Sequence, residues 1–241
     1  MKTELSAAAA LAAAMAFSQQ AYAGSVAFEF NGLGYTGSGV FTTAPNVSPP
    51  DPNPNCGTPG ENSCRADPPG AWKITGITGI FSDTTSGISL AAITGLVPIH
   101  PANERDPTFD PLVPASLSFI DFGSGPSAGF LSYNNLHFPK GSPIDCAYPF
   151  SGTFLDVFGM AFTVEGGYTV NVWGDGDVPG FGLTYGVGVT DGNGELSYAF
   201  QGVNAMAAPV PEPGSFALLG GGLIGMFVWR RRSSRVASKS A

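Results

Sequence analysis

Oxygen ligands separated by single glycines are how a calcium loop begins. The chain has two such runs. Asp175 and Asp177 alternate with glycine in "WGDGDVPG", and Asp191, Asn193 and Glu195 keep that spacing in "TDGNGELS". Neither run continues into an EF-hand pattern, and Asp-Gly and Asn-Gly are also common hairpin residues. Two readings follow. Asp175, Asp177, Asp191 and Glu195 are calcium candidates, or they are turn residues gathered at one end of a β domain. The turn reading needs fewer assumptions, so no metal and no cofactor is assigned.

Nucleophilic chemistry has little to work with. There are three cysteines, Cys56, Cys64 and Cys146, and two histidines, His100 and His137. A cysteine nucleophile needs a histidine beside it. His137 precedes Cys146 by nine residues, which is proximity in sequence only. His100 stands in "PIHPANERD" with Glu104 and Asp106 nearby, a run that also reads as a solvated loop. No Cys-x-x-Cys and no His-x-x-x-His occurs, which argues against zinc. Cys56 and Cys64 share one short loop and are expected to pair. That closure would contribute about 2–3 kcal/mol. Three pairings remain open, and one thiol is left over. The catalytic expectation is none.

The elements that would carry these residues read as strands. In "SVAFEF", Val26, Phe28 and Phe30 share a face, and in "GYTVNVWG" Tyr168, Val170 and Val172 do. In "ELSYAFQGV", Leu196, Tyr198 and Phe200 alternate with Ser197, Ala199 and Gln201. Further strands are expected at 34–43, 71–81, 87–94, 115–122, 153–165 and 181–190. Turn signals stand at Asn31-Gly32, Gly166-Gly167, Asp175-Gly176 and Asp191 to Gly194. Many short strands with frequent turns predict an all-β body, an antiparallel jelly-roll-like β-sandwich over residues 24–208. Residues 44–70 form a proline-rich loop, and 97–114 a second one.

Both ends read as trafficking segments. Residues 1–23 have Lys2, an apolar run, and Ala21-Tyr22-Ala23 as a cleavage site, which predicts a signal helix removed after Ala23. Ser215 to Trp229 is a 15-residue uncharged run, followed by Arg230, Arg231 and Arg232. As a helix it would span roughly 22 Å, against a bilayer core of about 30 Å. The arginines act as a membrane stop that stays cytoplasmic, with 234–241 as a short cytoplasmic tail. Sixteen acids lie between Gly24 and Val210, against Arg65, Lys73, Arg105 and Lys140, a balance of −12. Such a body repels phosphate backbones, which excludes nucleic acid as a partner, and it suits a domain that gathers cations.

Pro211-Glu212-Pro213, the apolar stretch and the arginine cluster resemble the PEP-CTERM sorting signal, over about residues 209–233. Two prolines hold that tripeptide extended and open to a protease. The resemblance implies an exported protein of a Gram-negative bacterium, processed by signal peptidase and exosortase. It implies transient anchoring in the inner membrane, then the cell surface or an extracellular polysaccharide matrix of the biofilm kind. This tail type is also catalogued as an ice-binding protein C-terminal domain. Segments such as "FEFNGLGYTGSGVFTT" are similar to body segments of PEP-CTERM proteins. Their resemblance names no activity.

The expected role is structural or polysaccharide-associated, and the body is not expected to be an enzyme. Two rivals are kept. A secreted glycan hydrolase would need a histidine or carboxylate pair in a cleft. A carbohydrate- or ice-binding module would need exposed aromatics in a row, from Trp72, Trp173 and Tyr185, or a repeated array from Thr75, Thr78, Thr84, Thr85 and Thr94.

Overall fold

The computed structural model describes residues 24–47, 67–68, 70–100, 116–125, 128–143 and 152–211. The expected signal helix, the 215–229 helix, all three cysteines, Glu212, Pro213 and Arg230–Arg232 lie outside the described residues. Among the described residues there is no helix long and apolar enough to cross a membrane. The chain divides into two units, Met1–Ala208 and Pro209–Ala241, and the strands below belong to the first.

The chain opens with β1 (Ser25–Gly32), β2 (Tyr35–Pro45), β3 (Trp72–Asp83) and β4 (Ile88–Leu96). An insertion then carries β5 (Ser118–Phe122), β6 (Gly129–Tyr133) and the two-residue β7 (Leu136–His137). It is followed by β8 (Met160–Val164), β9 (Tyr168–Val178), β10 (Gly182–Thr190) and β11 (Glu195–Pro209). Around the main sheet the order is β2-β1-β11-β10-β9-β8-β4-β3, and β2 pairs with β3 as well. That last pairing closes the ring. The body is a closed eight-stranded up-and-down barrel, and the expected sandwich is thereby corrected.

The physical reason is legible in the pairing. Apart from the insertion, each barrel strand lies beside its neighbour in sequence, and the last comes back to the first. Such an order leaves no second sheet to stack, and closure removes both edges. Tight coiling of the wall is helped by Gly39 and Gly79, which face each other across β2 and β3. A Cβ on either would collide with the opposite backbone carbonyl.

An eight-stranded barrel is just wide enough for side chains to fill. Here Phe28, Phe30, Phe41, Phe81 and Phe162 fill it, with ring centroids 5.9–6.3 Å apart in successive pairs. Val170, Val172, Val187 and Val189 complete the lining at zero exposure. Each such side chain contributes roughly 1.5–3 kcal/mol on burial.

Both ends of the barrel are stoppered. At the end with the short turns, Ser197 donates its hydroxyl to Asp83 at 2.5 Å. Burial alone would raise the Asp83 carboxyl, but this bond and the Thr85 N–H hold it below its ordinary value. At the other end the insertion folds inward. Leu155 is fully buried, and Phe154 packs on Phe41 and on Tyr185, to whose hydroxyl its N–H donates. A polar lattice pins the insertion down. Asn134 donates to Asp156 at 2.6 Å, the N–H groups of Phe158 and Gly159 donate to the other Asp156 oxygen, and Asn135 bridges Val97 and Ala161.

Two local expectations also shift. The first turn is Leu33-Gly34, both at positive φ (52° and 91°), two residues beyond the Asn31-Gly32 signal. The Asp175-Gly176 signal is a bulge inside β9, where Asp175 is left between the pairs Gly174–Tyr185 and Gly176–Thr184.

Candidate functional site

The barrel interior is filled by its own side chains, which leaves the outer wall as the candidate surface. One part of that wall is unlike the rest. Over β2, β3, β4 and β8 the outward residues are mostly threonine and serine, with Thr42 bonded to Thr75 and Thr94 to Thr163. Over β9, β10 and β11 the outward residues include Trp173, Tyr198 and Phe200, set around Gly186 and Gly188.

Gly186 and Gly188 alternate on β10 and leave that strand's outer face bare. A Cβ on Gly186 would run into the Trp173 indole and the Phe200 carbonyl, and one on Gly188 would sit 2.9 Å from Leu131. The bare backbone therefore lets Trp173 of β9 lie flat across β10. Its ring stands 5.3 Å from that of Tyr198 on β11, at an interplanar angle of 31°. The β5–β6 hairpin approaches the same wall. Its inner face buries Leu131 and Tyr133, and the Tyr133 hydroxyl donates to the Pro98 carbonyl.

Between hairpin and wall runs a groove of about 230 Å³. Trp173, Tyr198 and Phe200 form its floor, and Phe130 and Phe158 its sides. Ser132 and Asn171 add polar edges, and among the described residues no Lys or Arg lines it. Asn171 is fixed by donating to the Phe158 and Met160 carbonyls. Phe130, Tyr198 and Phe200 are 63%, 47% and 47% exposed, so their rings are open to solvent, while Trp173 beneath them is 5% exposed.

Trp173 is held from behind. Its indole N–H donates to Asp175 Oδ1 at 3.1 Å. Asp175 is 2% exposed, and its Oδ2 has no hydrogen-bond partner. Burial pushes its carboxyl up to about 6, while the indole bond pulls the other way. It is therefore largely ionised at neutral pH, with no compensating cation among the described residues.

The residues singled out in the sequence fare unevenly. Trp173 and Tyr185 do not stand exposed in a row. Trp173 is the groove's floor, and Tyr185 is inside the barrel, its hydroxyl pushed up to about 12 by burial. Trp72 lies on β3, paired with His137. His137 is buried edge-on to Phe41, 5.0 Å between ring centroids, and shares its Nδ1 with the Phe154 carbonyl. Burial lowers its pKa, so it is neutral at physiological pH. The His100 N–H donates to the Ser118 hydroxyl. Asp145 and Cys146 lie outside the described residues.

The four calcium candidates do not share an end. Asp175 and Asp177 lie near the β9–β10 turn, Asp191 and Glu195 at the β10–β11 turn at the opposite end. Asp191 caps its own turn, accepting from the N–H groups of Asn193 and Gly194. Those bonds lower its pKa. Among the described residues no three of His, Cys, Asp and Glu are placed to hold a metal. The threonines also scatter: Thr75 and Thr94 face outward from strands, whereas Thr84 and Thr85 occupy a turn.

Sequence reasoning missed Phe130 and Phe158, and it read Tyr198 and Phe200 only as one face of an alternating strand. A signal was present: the alternating glycines of "TYGVGVT" leave one strand face empty, as a wall does when something large lies on it.

Residues 209–232 match the PEP-CTERM protein-sorting motif. The protein is thus an exported substrate of exosortase, anchored in the membrane transiently before surface display. The match adds nothing for an ice-binding tail. No curated protein and no solved structure matches the chain at a significant level.

Proposed function

We propose that the barrel is the cargo this tail delivers: a non-catalytic protein of the cell surface or extracellular matrix that adheres to polysaccharide through its outer aromatic groove. The groove carries the reading. It is an open, aromatic-floored cleft with polar edges on a barrel whose interior is filled by its own side chains. Ligand sites are mostly apolar with a few placed polar groups. Aromatic rings with polar rims suit a sugar, which offers an apolar ring face and hydroxyls around it. At about 230 Å³ the cleft is smaller than the roughly 300–1,000 Å³ of a drug-sized site, so it accepts one ring of a polymer.

The non-catalytic part is supported by where the reactive groups are used. His137 is neutral and packed against Phe41, and Asp156 holds the insertion. The test is fractionation of the native host followed by mass spectrometry. The protein should be found with the extracellular polymer, cut near Pro211–Pro213 and lacking residues 1–23. A dominant form that keeps Arg230–Arg232, or one that washes free of the polymer, contradicts the proposal.

A further inference from the structure

We propose that the groove selects an amine-bearing sugar, a hexosamine unit with a free ammonium group, within the polymer it contacts. The inference rests on the polysaccharide reading above and narrows it to one ligand chemistry.

Charge is the first ground. The body carries sixteen acids against four cations. It therefore attracts cationic polymers and repels uronate-type ones. Among the described residues no Lys or Arg lines the groove to offset this locally.

The groove's own electrostatics are the second. Tyr198 presents a half-exposed π face beside the buried Trp173 ring, and a cation over such a face is attracted by the ring quadrupole. The Trp173 N–H is given to a carboxylate. The Trp173 ring and its carboxylate partner lie directly behind the Tyr198 face, 5.3 Å away, which makes that face a better seat for a cation. The anion is itself unusual, since Asp175 is buried with one oxygen unpartnered. A buried charge left unpaired is costly. A cation seated over Tyr198, next to the indole, would recover part of that cost. A neutral sugar stacks on the same rings but recovers none of it. A plain turn or packing role explains the Oδ1 bond and leaves the lone Oδ2 unexplained.

The experiment uses the protein as recovered from its host and three soluble oligosaccharides of equal length: glucosamine, N-acetylglucosamine and a uronate. Binding is read by calorimetry at pH 7. The glucosamine oligomer should bind about tenfold tighter than its N-acetylated counterpart, and the uronate should not bind. Tyr198→Ala, at a half-exposed position, should lose both sugars. Asp175→Asn keeps an acceptor for the indole N–H and removes the charge. It should bring the two affinities together by weakening glucosamine alone. A circular-dichroism melt confirms that each variant is folded.

Equal affinity for the two sugars, or a glucosamine preference that survives Asp175→Asn, overturns the inference. Preferred binding of a neutral matrix polymer, lost in Tyr198→Ala, also overturns it but leaves the polysaccharide reading standing. Binding of no polymer at all overturns both.

Discussion

β1 and β11 are neighbours in the barrel, and both alternate large apolar residues with small or polar ones. Yet they point opposite ways. Val26, Phe28 and Phe30 of β1 face inward and are at most 6% exposed. On β11 it is Ser197 that is buried, while Leu196, Tyr198 and Phe200 face out. The comparison teaches that a period of two says which residues share a face, and that the fold decides which face is inside. On β11 two features fix the choice. Ser197 is needed inside to satisfy Asp83, and the outward aromatics lie beside the glycine-bared β10 and the Trp173 ring. An apolar face left outside a full barrel is what an interaction surface looks like.

The largest expected effect breaks the comparison at its inner side. Phe30→Ala should cost about 3–5 kcal/mol, because a fully buried ring leaves a cavity. Tyr198→Ala, in the adjacent strand, should cost under about 1 kcal/mol. Urea denaturation of both variants checks this, and comparable losses would mean that β11's outer face is core after all.

Next in size is the floor itself. Gly186→Val pushes a branched side chain into Trp173 and the Phe200 carbonyl. It should cost about 1–3 kcal/mol by overpacking and expose Trp173, seen as a red shift in its fluorescence. Gly87→Ala is the control for surface glycines, since nothing lies within 4 Å of its Cβ position, although its φ of 70° carries some strain.

The two buried acids sharpen the contrast through pH. Asp83, inside, is held below its ordinary value. Its contribution is present above the unfolded carboxyl pKa and is lost as pH falls through the folded one. Asp175, outside, is raised to about 6. The folded state then binds its proton more tightly, so stability declines as pH rises from about 4 to about 6. Asp175→Asn should flatten that decline and melt higher than the parent at pH 7. A pH series of thermal melts checks both signs. A variant that melts lower at pH 7 would show that the carboxylate is compensated.

Much of the strand set was legible in the sequence. Nine of the eleven strands fall where alternation places them, because half-buried strands must alternate. β6 and β7 escaped, since "GFLSY" and "LH" are too short to show a period. Closure was illegible for a different reason. Sandwich and up-and-down barrel use the same short strands, and only the pairing of β2 with β3 and of β1 with β11 separates them. The groove was hidden because its walls come from three places far apart in the chain, around Phe130, Trp173 and Tyr198. The delivery tail was the most readable feature, since its residues are contiguous and its chemistry is local.

The most direct test of the account is retention in the matrix. The parent protein and a Phe130→Ala/Tyr198→Ala variant are each expressed in the native host. Their distribution between polymer-bound and free fractions is measured after confirming equal processing and equal melting temperature. The account predicts that the parent stays with the polymer while the folded, processed variant is released into the free fraction. Retention of the variant to the same extent as the parent would contradict it.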